Sequence, residues 1–147
     1  MADDTNLGLD WSGLSILTVE DCYDRLRHAH VGRLGFIDGG EVVILPVNIA
    51  VDGRSIVFRT GHGAKLSTAV MANPVCVEVD DWDDFEHTGW SVLARGVAEQ
   101  VVDDEQLERL ETLPVRPWAN PDVRHRWVRV TVEELTGRRI GADAEAL

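Results

Sequence analysis

Two glycine turns bracket one aliphatic run, and together they leave the chain little choice of fold. Asp38-Gly39-Gly40 and Asp52-Gly53-Arg54 stand on either side of residues 41–51, Glu-Val-Val-Ile-Leu-Pro-Val-Asn-Ile-Ala-Val. Gly-Gly and Asp-Gly pairs supply the positive φ that tight hairpin turns need. β-Branched residues suit a pleated, buried surface. A strand with a tight turn at each end pairs antiparallel with what precedes and follows it. Residues 31–37, apolar at Val31, Leu34 and Phe36, lie before it, and Ile56-Val57-Phe58 lies after it. Pro46 cannot donate to a ladder, so it marks an edge or a bulge. Asn48, polar in an apolar strand, either faces solvent or hydrogen-bonds a planar ligand.

Three further strands are expected, at residues 75–79, 89–102 and 126–133, where Val128, Val130 and Val132 alternate with polar partners. Gly96, inside the second of these, marks a bulge or a close backbone approach. Thr18, followed by Asp21, has the spacing of a helix cap and predicts a helix over 19–27. Asp103 caps a second helix, with Leu107, Leu110 and Leu113 as its apolar side. Residues 80–86, mostly acidic, read as a solvated loop, and residues 113–121, with three prolines and Trp118, as another. The sum is a mainly β fold with peripheral helices: six strands, mostly antiparallel, in a closed or partly closed barrel. At 147 residues the chain makes one domain. Residues 1–15, polar with glycine, form a flexible segment in which only Trp11 could dock, and residues 16–147 form the folded domain.

Composition excludes some partners. The formal net charge of -12 opposes a nucleic-acid backbone and an anionic membrane surface alike. No apolar run reaches the roughly 18 residues of a membrane span, the first residues are acidic rather than signal-like, and a cytoplasmic location is expected. Cys22 and Cys76 read as two buried, reduced thiols. Of the five histidines, only His28 and His30 are close in sequence, and no cysteine or carboxylate spacing completes a metal-ligand set. There is no Gly-x-Ser-x-Gly nucleophile elbow.

Against this acidic background, residues 56–81 stand out: strand, Arg59-Thr60, Gly61-His62-Gly63, Lys65, a short helical run stopped at Asn73-Pro74, then strand. Glycines let backbone N–H groups converge. A helix N-terminus adds partial positive charge, and Arg59 and Lys65 add full charges. Such a set suits a dianion such as a phosphate; a solvated loop entering a helix is the alternative. The spacing is neither a P-loop nor a dinucleotide fingerprint.

Several short stretches in order carry a resemblance: Val31-Gly32-Arg33-Leu34, Leu45-Pro46-Val47-Asn48, Phe58-Arg59-Thr60 with Lys65-Leu66, Asn73-Pro74, Glu78-Val79-Asp80, Gly89-Trp90-Ser91-Val92 with Gly96, and Thr136-Gly137-Arg138-Arg139-Ile140. Over about residues 17–140 the chain resembles the pyridoxamine 5'-phosphate oxidase-like flavin-binding split barrels, in particular the small actinobacterial and nitroimidazole-resistance-like members. The resemblance implies a six-stranded split β-barrel and a homodimer with FMN at the interface. It implies Arg59, Thr60 and Lys65 at the flavin phosphate and ribityl chain. Pro46, Val47 and Asn48 would lie along the ring, and Trp90 and Ser91 would reach the flavin from the second subunit. Trp90 also reads as a core residue.

Pyridoxamine phosphate oxidases themselves carry a longer C-terminal segment with Arg and His for the substrate phosphate. Here the matching stretch ends at Ile140, so a different flavin-dependent oxidoreductase is expected, acting on a small flat substrate with NAD(P)H as a candidate partner. An F420-dependent reductase and a flavin carrier without turnover are the alternatives. No general acid or base stands out; His62 is a candidate, but it reads first as a solvated loop histidine.

Overall fold

In a computed structural model of the chain, residues 6–9, 13–61, 70–115 and 125–141 are described. The elements in order are β1 (Asn6–Leu9), β2 (Ser15–Leu17), α1 (Val19–His28), β3 (Val31–Asp38), β4 (Glu41–Asp52), β5 (Ser55–Gly61), β6 (Pro74–Asp83), β7 (Thr88–Gln100), α2 (Asp104–Leu110) and β8 (His125–Ile140).

The expected hairpins form as the turn chemistry requires. Gly39 and Gly40 both have positive φ, 58° and 84°, and join β3 to β4; Gly53, at 63°, joins β4 to β5. Strands β8, β5, β4, β3, β6 and β7 follow one another by hydrogen bonding, and β7 pairs back onto β8. That closes a six-stranded antiparallel barrel, the split-barrel fold. The β1–β2 pair is appended where Ser15 and Ile16 meet Arg139 and Arg138 of β8. Trp11, His62, Lys65 with most of the helical run before Asn73, and Trp118 lie outside the described residues.

Both helix caps are in place. The Thr18 hydroxyl accepts from the Asp21 N–H at 3.1 Å, and the Asp103 carboxylate accepts from the Gln106 N–H at 3.1 Å. Helix α1 lays Cys22, Tyr23 and Leu26 onto the barrel core, and the Tyr23 hydroxyl donates to the Arg54 carbonyl at 2.9 Å. Helix α2 covers the outer face of β5 and β8 through a second, smaller core of Val57, Val101, Leu110, Val115 and Trp127. The Asp52 carboxylate ties this helix to the sheet, meeting Arg109 at 2.8 Å and Arg129 at 2.9 Å.

Three differences from the sequence reading have physical causes. Only the second half of the acidic run is a loop: residues 84–87 turn, while residues 80–83 belong to β6. β6 continues to Asp83, and Asp81, Trp82 and Asp83 pair with Trp90, Gly89 and Thr88. The Trp82 ring lies across Gly89, where a Cβ would collide with it. The tight end of this hairpin is held by the Asp83 carboxylate, which accepts from the Phe85 and Glu86 N–H groups at 2.9 Å each. Strand β8 runs to Ile140, because residues 134–140 lie in register with 89–95 of β7. The N-terminal segment expected to be loose pairs at Asn6–Leu9 with β2. Gly96 meets its expectation: the register slips between Arg95–Glu134 and Gly96–Val132. Glu133 is thus the extra residue, and a Cβ on Gly96 would run into the Thr131 carbonyl. Cys22 is buried but Cys76 is partly exposed.

The barrel opens along one seam. β4 and β5 pair only from Asp52–Ser55 to Ile49–Phe58. One step further, Asn48 stays with Val31 of β3, while Arg59 stays with Trp127 of β8. The two strands part just where Asn48 and Arg59 stand abreast.

Candidate functional site

The pleat sorts the sequence candidates onto two faces, since neighbours on a strand point opposite ways. On β5, Ile56 and Phe58 enter the main core and Thr60 follows them inward, 3% exposed. On β4, Val47 packs against the main core, and Pro46 and Asn48 point outward. On β7, Trp90 packs inward under α1, with the Arg25 guanidinium 5.3 Å from its ring centre. Ser91 points outward.

The outward residues form one band. Pairing places Asn48 opposite Val31, Pro46 opposite Arg33, Arg33 opposite Glu78, Glu78 opposite Leu93, Asp80 opposite Ser91, and Ser91 opposite Arg138. Arg59 continues the band past Asn48 across the seam. The structure thus brings Arg59, Pro46, Asn48 and Ser91 onto one surface, while Thr60, the next residue on β5, is turned to the core side. Trp90 is turned to the other side. It lines a cleft of about 670 Å³ with Arg25, Trp82, Phe85 and Arg139.

Arg59 is held by two residues that the sequence did not point to. Its guanidinium lies over the Trp127 ring, 4.9 Å from the centre. Its Nη2 donates to both Glu111 oxygens, at 3.2 and 3.3 Å, and Nη1 lies 3.5 Å from the Val115 carbonyl oxygen. The Trp127 indole N–H donates to Glu111 at 2.9 Å, so the three side chains form a closed clasp. The β5–β8 register brings Trp127 to Arg59, and the C-terminal end of α2 brings Glu111, 52 residues away in sequence.

Among the described residues, Arg59 Nε and Thr60 Oγ1 are both buried and both lack a hydrogen-bond partner. An orphan of this kind costs about 1–3 kcal/mol. Native proteins seldom keep such groups without a use for them.

The middle of the band carries an ion cluster. Arg33 Nη1 donates to Glu78 at 3.1 Å and to Asp80 at 3.0 Å. Burial, and then the hydrogen bond and charge of Asp80, push the Glu78 carboxyl up to about 7, with Arg33 opposing. Near neutral pH this carboxyl is therefore partly protonated. The spacing Glu-x-Asp on an alternating strand was the available signal for this pair. By contrast Asp52 is held below the usual carboxylate range, first by its hydrogen bond from Arg109.

Comparison with known proteins agrees with this architecture. An uncharacterised protein of Mycobacterium tuberculosis is 40% identical over 119 residues, 77% of this chain and 76% of that protein. The structure of an FAD-binding protein from Mycobacterium smegmatis superposes with a TM-score of 0.75 at 36% identity, covering 86% of this chain and 98% of that one. A conserved protein of unknown function from Corynebacterium diphtheriae superposes at 0.74 with 32% identity, covering 88% and 99%. Residues 18–139 match the sequence profile of the pyridoxamine 5'-phosphate oxidase family, and with its closed six-stranded barrel the chain belongs to that family.

Proposed function

We propose that this protein binds a flavin, with the ribityl phosphate end at Arg59 and Thr60 and the ring along Pro46, Val47 and Asn48 of β4. It would act as an oxidoreductase on a small, flat substrate. The observation that carries the reading is the pair of buried, unpartnered atoms, Arg59 Nε and Thr60 Oγ1, at the mouth of the β4–β5 seam. The donor chemistry fits the group: a guanidinium edge suits a phosphate dianion, and a hydroxyl suits either a phosphate oxygen or a ribityl hydroxyl. Lys65 adds a second cation by its place in the sequence.

FMN is the cofactor we name. FAD carries the same ribityl phosphate, and the Mycobacterium smegmatis relative is an FAD-binding protein. The deazaflavin F420 is the alternative, since its tail also carries a phosphate. A bound flavin supplies hydride transfer at its N5 atom. The work left to this chain is to fix the phosphate, orient the ring on β4 and leave one ring face open.

The site is completed by a second copy of the chain. The outer face of β3 and β4 exposes Ile37 (56%), Val42 (75%) and Ile44 (66%), which together make an apolar patch of the kind that marks an interface. A two-fold axis near Arg33 and Glu78, midway along the band, exchanges its ends. Ser91 of one protomer then faces the Pro46–Asn48 strand of the other.

The test is an absorption spectrum of the protein purified without added cofactor, followed by titration with FMN, FAD and F420. A yellow protein, or saturable binding of FMN or FAD at micromolar concentration or below, supports the reading. Binding of F420 alone moves it to a deazaflavin reductase. Binding of none of them overturns it. Reduction of the bound flavin by NADH or NADPH then supports the oxidoreductase over a carrier without turnover.

A further inference from the structure

The flavin reading above underlies this step, which concerns how tightly the phosphate is held. We infer that the Glu111 carboxylate is a built-in rival of the cofactor phosphate for the Arg59 guanidinium, and so sets the affinity for phosphate-bearing flavins.

A guanidinium offers an anion a two-pronged edge, Nε together with Nη2. Glu111 places both of its oxygens on Nη2. Neither is on Nε, which is buried and without a partner among the described residues. The edge is half taken. An acceptor that completes it, bonding Nε and Nη2 together, has to take Nη2 from Glu111.

Glu111 is the member of the clasp that yields. Its side chain is 55% exposed against 21% for Arg59, so its carboxylate can turn to water at little desolvation cost. Arg59 cannot follow, because its guanidinium is stacked on Trp127. The bond from the Trp127 indole N–H keeps the displaced carboxylate close by, where its charge opposes a dianion. Before the cofactor arrives, the same carboxylate supplies the acceptor that holds the guanidinium in place over the ring.

The variant that isolates the charge is Glu111→Gln. It keeps the side-chain shape and an oxygen for the Trp127 N–H. Wild type and variant are titrated with FMN and with riboflavin, which lacks the phosphate, and binding is followed by quenching of flavin fluorescence. The expected result is an FMN Kd about two- to fivefold tighter in the variant, the range set by a partly exposed ion pair, with riboflavin binding unchanged. Unchanged or weaker FMN binding in the variant, or an equal gain for riboflavin, overturns the inference and leaves the flavin reading standing. If wild type binds neither compound, the flavin reading itself falls and this step falls with it. Glu111→Ala, which also removes the acceptor for Trp127, is expected to move FMN binding in the same direction; a loss of FMN affinity there would instead make Glu111 a support for Arg59.

Discussion

In the proposed flavin site, Thr60 is the residue at which stability and binding would be set against each other. Its hydroxyl is buried without a partner, so the protein without cofactor carries the cost of an unmade hydrogen bond. Thr60→Val replaces the hydroxyl by a methyl group of nearly the same shape. The expected outcome is a cofactor-free protein more stable by about 1 kcal/mol, read by denaturant unfolding, together with weaker flavin binding. A residue kept only for packing would not shift the two in opposite directions. Arg59 and Thr60 were legible in the sequence as a polar pair ending a buried strand. Glu111 and Trp127 were not, because no local pattern encodes where the end of α2 docks or which residue of a distant strand stands opposite. The second of these lives in the β5–β8 register, which puts Trp127 beside Arg59.

Among elements, the strands explain both the success and the failure of the sequence reading. Glycine turns and alternation located the hairpins, and Thr18 and Asp103 located the helix starts, since each signal is local. The acidic run on β6 was misread because charge outweighed alternation. Once Trp82 covers Gly89, the strand pairs through Asp83 in spite of its charge. The Glu-x-Asp pair on the same strand gives a pH dependence with a definite sign. The Glu78 carboxyl is raised from an ordinary 4.5 to about 7, so between those values the folded state binds more protons than the unfolded one. Its contribution to stability is present at low pH and is lost as pH rises through about 7. Asp52 is shifted the other way; its contribution is lost only as pH falls below the ordinary aspartate value of 3.8. Between pH 5 and 8 the wild type is therefore expected to lose stability as pH rises, and Glu78→Gln to flatten that slope. Denaturant midpoints at the two pH values check it; equal slopes in both proteins would remove Glu78 as the cause.

For the whole molecule, the six-stranded barrel was within reach of the sequence, but its seam was not. The parting of β4 from β5 depends on each strand keeping its other neighbour, and neither preference is visible in one strand alone. The exposed apolar face of β3 and β4 leads to an assembly test. Ile44→Lys places a charge in the patch and, on the proposed dimer, is expected to shift the protein toward monomer in sedimentation at micromolar concentration. Flavin affinity is expected to weaken with it, because Ser91 of the partner would be withdrawn. A variant that stays dimeric would place the interface elsewhere. The closing of the ring by β8 has a consequence for the order of synthesis. β8 is the last of the described strands to leave the ribosome, and it bonds to both β5 and β7. Until it emerges, the nascent chain is an open sheet with two unpaired edges, and Arg59 has no Trp127 to rest on. Such contacts between distant parts of a chain form late. A bound group would therefore find no finished site on the growing chain until β8 has emerged and paired with β5 and β7.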